Sequence, residues 1–213
     1  MTAPLNGGRT EKPDLQTQSI GTRDRILAAT ARTLTVRGYA GTRLTDVAGI
    51  AGLRAPGMYH YFASRDDLVT EVLRVGQRRL LDHVEHALAR SSPHSGAAER
   101  IRVAIDAHLR LELELSDFAT AVTRNSGQVP AHIRDALQSD SDDYHSLWRG
   151  LIEAAGDEGI LRPNLDVRVA RMLVIGALNW APEWWHAAGT PIENLVDTAQ
   201  TIICHGLFDV TES

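Results

Sequence analysis

The side chains best able to act on another molecule lie between Thr42 and Phe62, in the run Thr42-Arg43-Leu44-Thr45-Asp46-Val47-Ala48-Gly49-Ile50-Ala51-Gly52-Leu53-Arg54-Ala55-Pro56-Gly57-Met58-Tyr59-His60-Tyr61-Phe62. Their chemistry is recognition. Two guanidinium groups, threonine and tyrosine hydroxyls and an imidazole can grip phosphate oxygens and read base edges. Arg54 is suited to a bidentate guanine contact, whereas Ala55 and Pro56 offer only apolar contact, for instance with a thymine methyl. Other candidate groups lack the partners that chemistry needs. His83 and His86 stand three apart around Glu85, and two ligands at helical spacing are too few for zinc. Asp140, Asp142 and Asp143 resemble the opening of a calcium loop without its glycine or closing glutamate. No nucleophile elbow, phosphate-binding loop, dinucleotide glycine motif or paired-carboxylate motif occurs. The expectation is therefore a protein without metal, cofactor or catalysis.

The elements around this run are helical. Ile26, Thr30, Thr33 and Leu34 form one stripe of a helix from about Thr22, its expected N-cap, to Arg37, with Gly38 at its end. Thr42 is expected to cap a second helix reaching about Ala51, which Gly52 ends because glycine tolerates positive φ. Pro56 suits the first turn of a third helix. Leu53, Met58 and Phe62 are expected to plug the core of this head. Ser64, with Asp67 three residues on, starts a long helix through Leu68, Val72, Val75, Leu80, Val84 and Leu88. A short bracing helix, a glycine turn and a second short helix make a helix-turn-helix, which docks its second helix in a DNA major groove.

The helical period continues to the end. One helix is marked by Ile101, Ile105, Leu109 and Leu113, and a short one by Phe118 to Arg124. A long helix is expected from Ala131 to Ala155, then a connector over 156–165. Two final helices span about 166–188, with Pro182 expected to kink it, and 191–209. No convincing strand alternation appears, so the fold class is all-α.

The head resembles the TetR family of transcriptional regulators. The resemblance rests on Thr42-Arg43-Leu44, Asp46-Val47-Ala48, Ala51-Gly52-Leu53, Met58-Tyr59-His60-Tyr61-Phe62 and Arg65-Asp66-Asp67-Leu68, covering about Thr22 to Val72. It implies that Thr42 touches phosphate at the start of the second helix. It also implies that Tyr59, His60 and Tyr61 pack on the DNA backbone and that Arg65 grips a phosphate. Sequence reading falls to Arg43, Thr45, Arg54, Ala55, Pro56 and Gly57. Residues 1–21, rich in Thr, Asn, Gly, Pro and Gln and without an apolar run, are expected to be a flexible arm; the resemblance implies a DNA-binding head over 22–68 and an all-α body over 69–213 that binds a small molecule and forms a homodimer. The partners are then a double-stranded DNA operator, a second copy of the chain and a small effector. In the family the last two helices form half of a four-helix bundle, which makes Gly176, Ala177, Ile192, Val196 and Ile203 the expected interface.

The tail Asn179-Trp180-Ala181-Pro182-Glu183-Trp184-Trp185 resembles a subgroup that responds to acyl-coenzyme A thioesters. Trp180, Trp184, Trp148 and His108 are the candidate effector contacts, since indoles can pave a pocket or stack on an adenine. The alternative is that the tryptophans fill the interface and core. No basic cluster lies beside them in the sequence. Arg124, Arg149, Arg168 and Arg171 would serve a coenzyme's phosphates only if the fold gathers them. An unconjugated lipophile is the other effector class. An all-α enzyme with an incidental head, and an architectural DNA binder without ligand, are the other function classes.

Charge and composition agree with a two-part molecule. The 213 residues carry a net charge of −5. Residues 1–74 hold 10 basic and 7 acidic side chains, and residues 75–213 hold 12 and 20. A mildly basic head and an acidic body would orient the chain on DNA. The single cysteine, Cys204, cannot close an internal disulfide, and the longest apolar run, Met172 to Leu178, is too short to span a bilayer. The expectation is a cytoplasmic protein without membrane contact.

Overall fold

The computed structural model describes residues 21–186 and 188–209. The expected arm over 1–21 lies outside them except for Gly21. Ten α-helices follow one another: α1 (Thr22–Gly41), α2 (Leu44–Ile50), α3 (Ala55–Met58), α4 (Arg65–Arg90), α5 (Ala97–Arg110), α6 (Asp117–Asn125), α7 (Ala131–Ala136), α8 (Gln138–Asp157), α9 (Val167–Trp184) and α10 (Ile192–Leu207). A π-helical turn, Leu111–Leu115, joins α5 to α6. Among the described residues the only β-pairing is an isolated bridge between Leu161 and Phe208.

Local chemistry explains most of the boundaries. Ser64 Oγ accepts from the Asp67 amide at 3.0 Å, and Asp166 Oδ1 accepts from the Arg168 and Val169 amides at 2.8 and 3.1 Å. Gly38 breaks α1 with φ +66° and Gly52 makes the turn after α2 with φ +70°. Several expected boundaries differ. Gly21, not Thr22, caps α1, and Arg43, not Thr42, caps α2. The Thr42 hydroxyl instead donates to the Gly38 carbonyl at 2.8 Å, tying off the broken end of α1. The long helix expected over 131–155 is two helices, because Leu137 takes φ −105°, ψ 0° and turns its side chain into the core. Pro182 lies in the last turn of α9, which ends two residues later.

Two cores are packed end to end. The head core takes Ile26 and Leu34 of α1, Val47 of α2, Met58 of α3 and Leu68 and Val72 of α4. It also takes Phe118 and Ala121 of α6 and Ile133 of α7, so part of the body is built into the head. The body core is formed by the distal half of α4 with α5, α8, α9 and α10 around Trp148, Ile101 and Ile152. α4 runs unbroken through both. It meets α6 most closely at Gly76, where a Cβ would press on the Phe118 carbonyl oxygen and stand 2.5 Å from Val122 Cγ2 and 2.9 Å from the Phe118 carbonyl carbon.

Candidate DNA-contacting face and effector cavity

α1, α2 and α4 brace the short α3 from behind. Val47, Ala48, Ala51 and Met58 are buried on that side. Arg43, Thr45, Arg54, Pro56, Tyr59, His60 and Tyr61 are exposed on the other, and Ala55 and Gly57 are half-buried. Arg54 is the extended residue that immediately precedes α3, at φ −88°, ψ 144°. Among the described residues neither Arg43 nor Arg54 belongs to an ion pair, whereas Arg37 is held by Asp46. The face is thus exposed, cationic and backed by a packed core.

Two residues expected on this face are engaged elsewhere. Thr42 is 2% exposed and its hydroxyl is used by Gly38. Arg65 turns inward: its guanidinium donates to the Tyr39 carbonyl and stacks on the Tyr39 ring at 4.1 Å, while Nε is buried without a partner. Tyr39 in turn donates its hydroxyl to Asp66 at 2.8 Å. Burial and that bond push the phenol above its ordinary value. Arg65 therefore fastens the head end of α4 to the end of α1.

The body holds a partly open cavity of about 230 Å³ between α4, α6, α8 and α9, with the exposed Met172 and Gly176 at its rim. Gln77 and Leu80 line it from α4, Val122 and Thr123 from α6, Tyr144 and His145 from α8, and Ile175 and Asn179 from α9. Among the described residues Gln77 Oε1, His145 Nδ1 and Asn179 Oδ1 are buried without hydrogen-bond partners. Three helices thus each bring one residue with an unpaired polar atom to a lining that is otherwise largely apolar, a site for a lipophilic molecule that also carries polar groups. Burial, with the nearby Arg171, holds His145 below its usual value, so it faces the cavity uncharged at neutral pH.

The four expected effector contacts are not in this lining. Trp148 and His108 are fully buried one layer behind it. Tyr144 connects the layers: its hydroxyl pairs with His108 Nδ1 at 2.6 Å, and His108 Nε2 pairs with Glu112 at 3.2 Å. Trp180 and Trp184 are 63% and 52% exposed, because the phase of α9 buries Val174, Leu178 and Ala181 and turns the opposite stripe outward. That outward stripe is Val169, Met172, Leu173, Trp180 and Trp184, with Gly176 and Ala177 at its middle and Ile202 of α10 also exposed. Of the expected interface residues, Gly176 and Ala177 lie on this open face. Ile192, Val196 and Ile203 are buried in the chain's own core, on the inward stripe of α10. The cavity residues went unread because Gln77 and Asn179 look like ordinary polar positions. Their signal was a polar side chain interrupting an apolar stripe.

One guanidinium bridges three helices of head and body. Arg124 of α6 donates to the Thr35 carbonyl in the last turns of α1 at 2.9 Å and to the Pro182 carbonyl at the end of α9. Its Nε stands 3.6 Å from Glu183. Asn125 donates to the Leu34 carbonyl at 3.2 Å.

A helix-turn-helix head with an outward cationic face, set on an all-α body around a cavity, defines a DNA-binding regulator. The family model "Bacterial regulatory proteins, tetR family" matches residues 26–72, and "Tetracyclin repressor-like, C-terminal domain" matches residues 94–207. The chain belongs to the TetR family. It is 24% identical over 181 residues to the transcriptional repressor KstR2 of Mycolicibacterium smegmatis, covering 84% of this chain and 86% of the relative. It is 19% identical over 160 residues to the fatty acid metabolism regulator protein of Bacillus subtilis, covering 75% and 81%. Its fold is similar to that of AibR in complex with isovaleryl coenzyme A and operator DNA, with TM-score 0.76 at 18% identity, covering 88% of this chain and 98% of the other. It is also similar to FadR from Bacillus subtilis in complex with stearoyl-CoA, with TM-score 0.72 at 18% identity, covering 85% and 97%.

Proposed function

We propose that this protein is a homodimeric cytoplasmic repressor, acting by binding rather than catalysis, whose hold on its operator is released by an acyl-coenzyme A thioester. One observation carries the reading: the cavity with unpaired Gln77, His145 and Asn179 abuts the contact between α4 and α6, and α4 carries the head. The named relatives and the ligands in the similar structures support the thioester class. The apolar stripe of α9 supports pairing with a second copy, since large exposed apolar patches mark interaction surfaces. Two-fold pairing would present two heads about 34–36 Å apart, one DNA turn.

The cavity, at about 230 Å³, is smaller than the roughly 300–1,000 Å³ of ordinary ligand sites. An acyl chain must therefore push α4 and α6 apart to enter. It binds better to a conformation with the heads misplaced, and operator affinity falls by linkage.

Isovaleryl- and stearoyl-coenzyme A, and the matching free acids, should be titrated against the complex of protein and its own promoter DNA. Release by a thioester and not by free acid is expected. Release by free acid or an unconjugated lipophile alone would reject the thioester. Arg54→Ala should lose about 1–3 kcal/mol of operator discrimination while retaining much non-specific affinity; an unchanged sequence preference would remove Arg54 from base reading.

A further inference from the structure

A second cavity, about 480 Å³, lies at the other end of the α8–α9 groove, lined by Arg149 and Glu153 of α8 and Val167, Arg168 and Arg171 of α9. Arg171 is only 9% exposed. None of the ion pairs among the described residues includes Arg149, Arg168 or Arg171. The Nε of Arg171 is buried with no partner, and its remaining contacts are weak: the His145 carbonyl at 3.5 Å and Met172 Sδ at 4.0 Å. A buried guanidinium without a counter-charge is costly. The lining holds three guanidinium groups and one carboxylate, a surplus of two positive charges on a body that is acidic as a whole.

That surplus calls for a dianion. The planar fork of arginine matches phosphate oxygens bidentately. Operator phosphates are not the occupant. The head is tied to the Pro182 end of α9, and Arg171 lies eleven residues back along the helix, about 16 Å further from the head. The neighbouring space is the effector cavity. His145 and Met172 line that cavity and also touch Arg171, and Arg171 and Arg149 both help to lower the His145 pKa.

We infer that Arg149, Arg168 and Arg171 form a binding site for a phosphate or diphosphate group carried by the effector whose apolar part fills the cavity between α4, α6, α8 and α9. This rests on the reading of that cavity as the effector site. The groove then holds a bipartite ligand, lipophilic at one end and doubly charged at the other.

Inorganic pyrophosphate is titrated calorimetrically into the full-length protein, into Arg149→Ala/Arg168→Ala and into Arg171→Met. The first variant changes exposed residues only, so it keeps the test valid if Arg171→Met does not fold. The wild type should bind pyrophosphate in a salt-dependent way, and the variants at least tenfold more weakly. Absence of binding to the wild type, or equal binding to the double variant, would overturn the site. In a second arm stearoyl-coenzyme A displaces promoter DNA, and the double variant should need about tenfold more of it. Arginine-dependent pyrophosphate binding with unaltered thioester potency would overturn the effector-borne assignment and leave a free-anion site. If the thioester fails to release even the wild type, the thioester reading fails, and the pyrophosphate titration alone decides the arginine site.

Discussion

Replacing Gly76 with alanine tests whether the α4–α6 contact sets the position of the head. The added methyl would press first on the Phe118 carbonyl oxygen and would stand 2.5 Å from Val122 Cγ2 and 2.9 Å from the Phe118 carbonyl carbon, against the 3.0–3.4 Å at which real Cβ contacts begin. Relief to that range at Val122 Cγ2 needs about 0.5–0.9 Å of separation between the helices, the difference of those distances and a lower bound because the Phe118 carbonyl oxygen lies closer still. Gly76 is eleven residues from Arg65 at the head end of α4 and twelve from Leu88, which is anchored in the body core. At 1.5 Å per residue these arms are about 17 and 18 Å, so a pivot at Leu88 roughly doubles the movement, to about 1–1.7 Å at the head. Hydrogen bonds to base edges tolerate a range of only about 0.5 Å. Breaking one bidentate pairing with a base costs about 1–3 kcal/mol, or roughly 5–150-fold in operator affinity. The same overpacking should destabilise the fold by about 1–3 kcal/mol. Fluorescence anisotropy with promoter DNA, alongside thermal melts, reads both. Gly76→Ala should be folded, less stable, weak on operator and poorly responsive to effector. A folded variant that binds operator within twofold of wild type would refute the lever.

Three further outcomes follow from single side chains. Arg65→Ala should lower stability by about 1–3 kcal/mol because the charge-assisted bond to Tyr39 is removed. It should leave the slope of log affinity against log salt unchanged, and a slope shallower by about one unit would return Arg65 to the phosphates. Arg124→Met removes the link between α1 and α9, so the ratio of operator affinities without and with stearoyl-coenzyme A should shrink severalfold; an unaltered ratio would show that coupling runs elsewhere. His145 is held below its usual 6.5 by burial and by Arg171 and Arg149, with Asp142 opposing. The unfolded chain therefore binds the extra proton first, and stability present above pH 6.5 should decline as pH falls toward the lowered folded value. A denaturation series from pH 8 to 5 should show this, and His145→Asn should flatten it; an unchanged decline would assign it to other groups.

The head was legible because its signals are local. Gly52 must turn, Met58 and Phe62 must be buried, and Arg43, Arg54 and Tyr59 then face outward, all within the reach of two helical turns. At Thr42 and Arg65 the fold adds contacts that the local pattern does not signal. Their family roles place them against phosphate, but here Gly38 and Tyr39 bring backbone carbonyls close enough to capture both side chains.

In the body, sequence alone established the amphipathic helices and the abundance of tryptophan, but not which face of each helix meets which neighbour. Trp148 and Trp180 look alike as residues; one is sealed in the core because it lies on the inward stripe of α8, and the other faces outward because it lies on the open stripe of α9. The gathering of Arg149 with Arg168 and Arg171, and of Gln77 with His145 and Asn179, joins positions far apart in the chain. Helical periodicity orders neighbours three and four residues apart. The crossing of α4, α6, α8 and α9 that makes these sites depends on side-chain packing between helices, which only the folded chain decides.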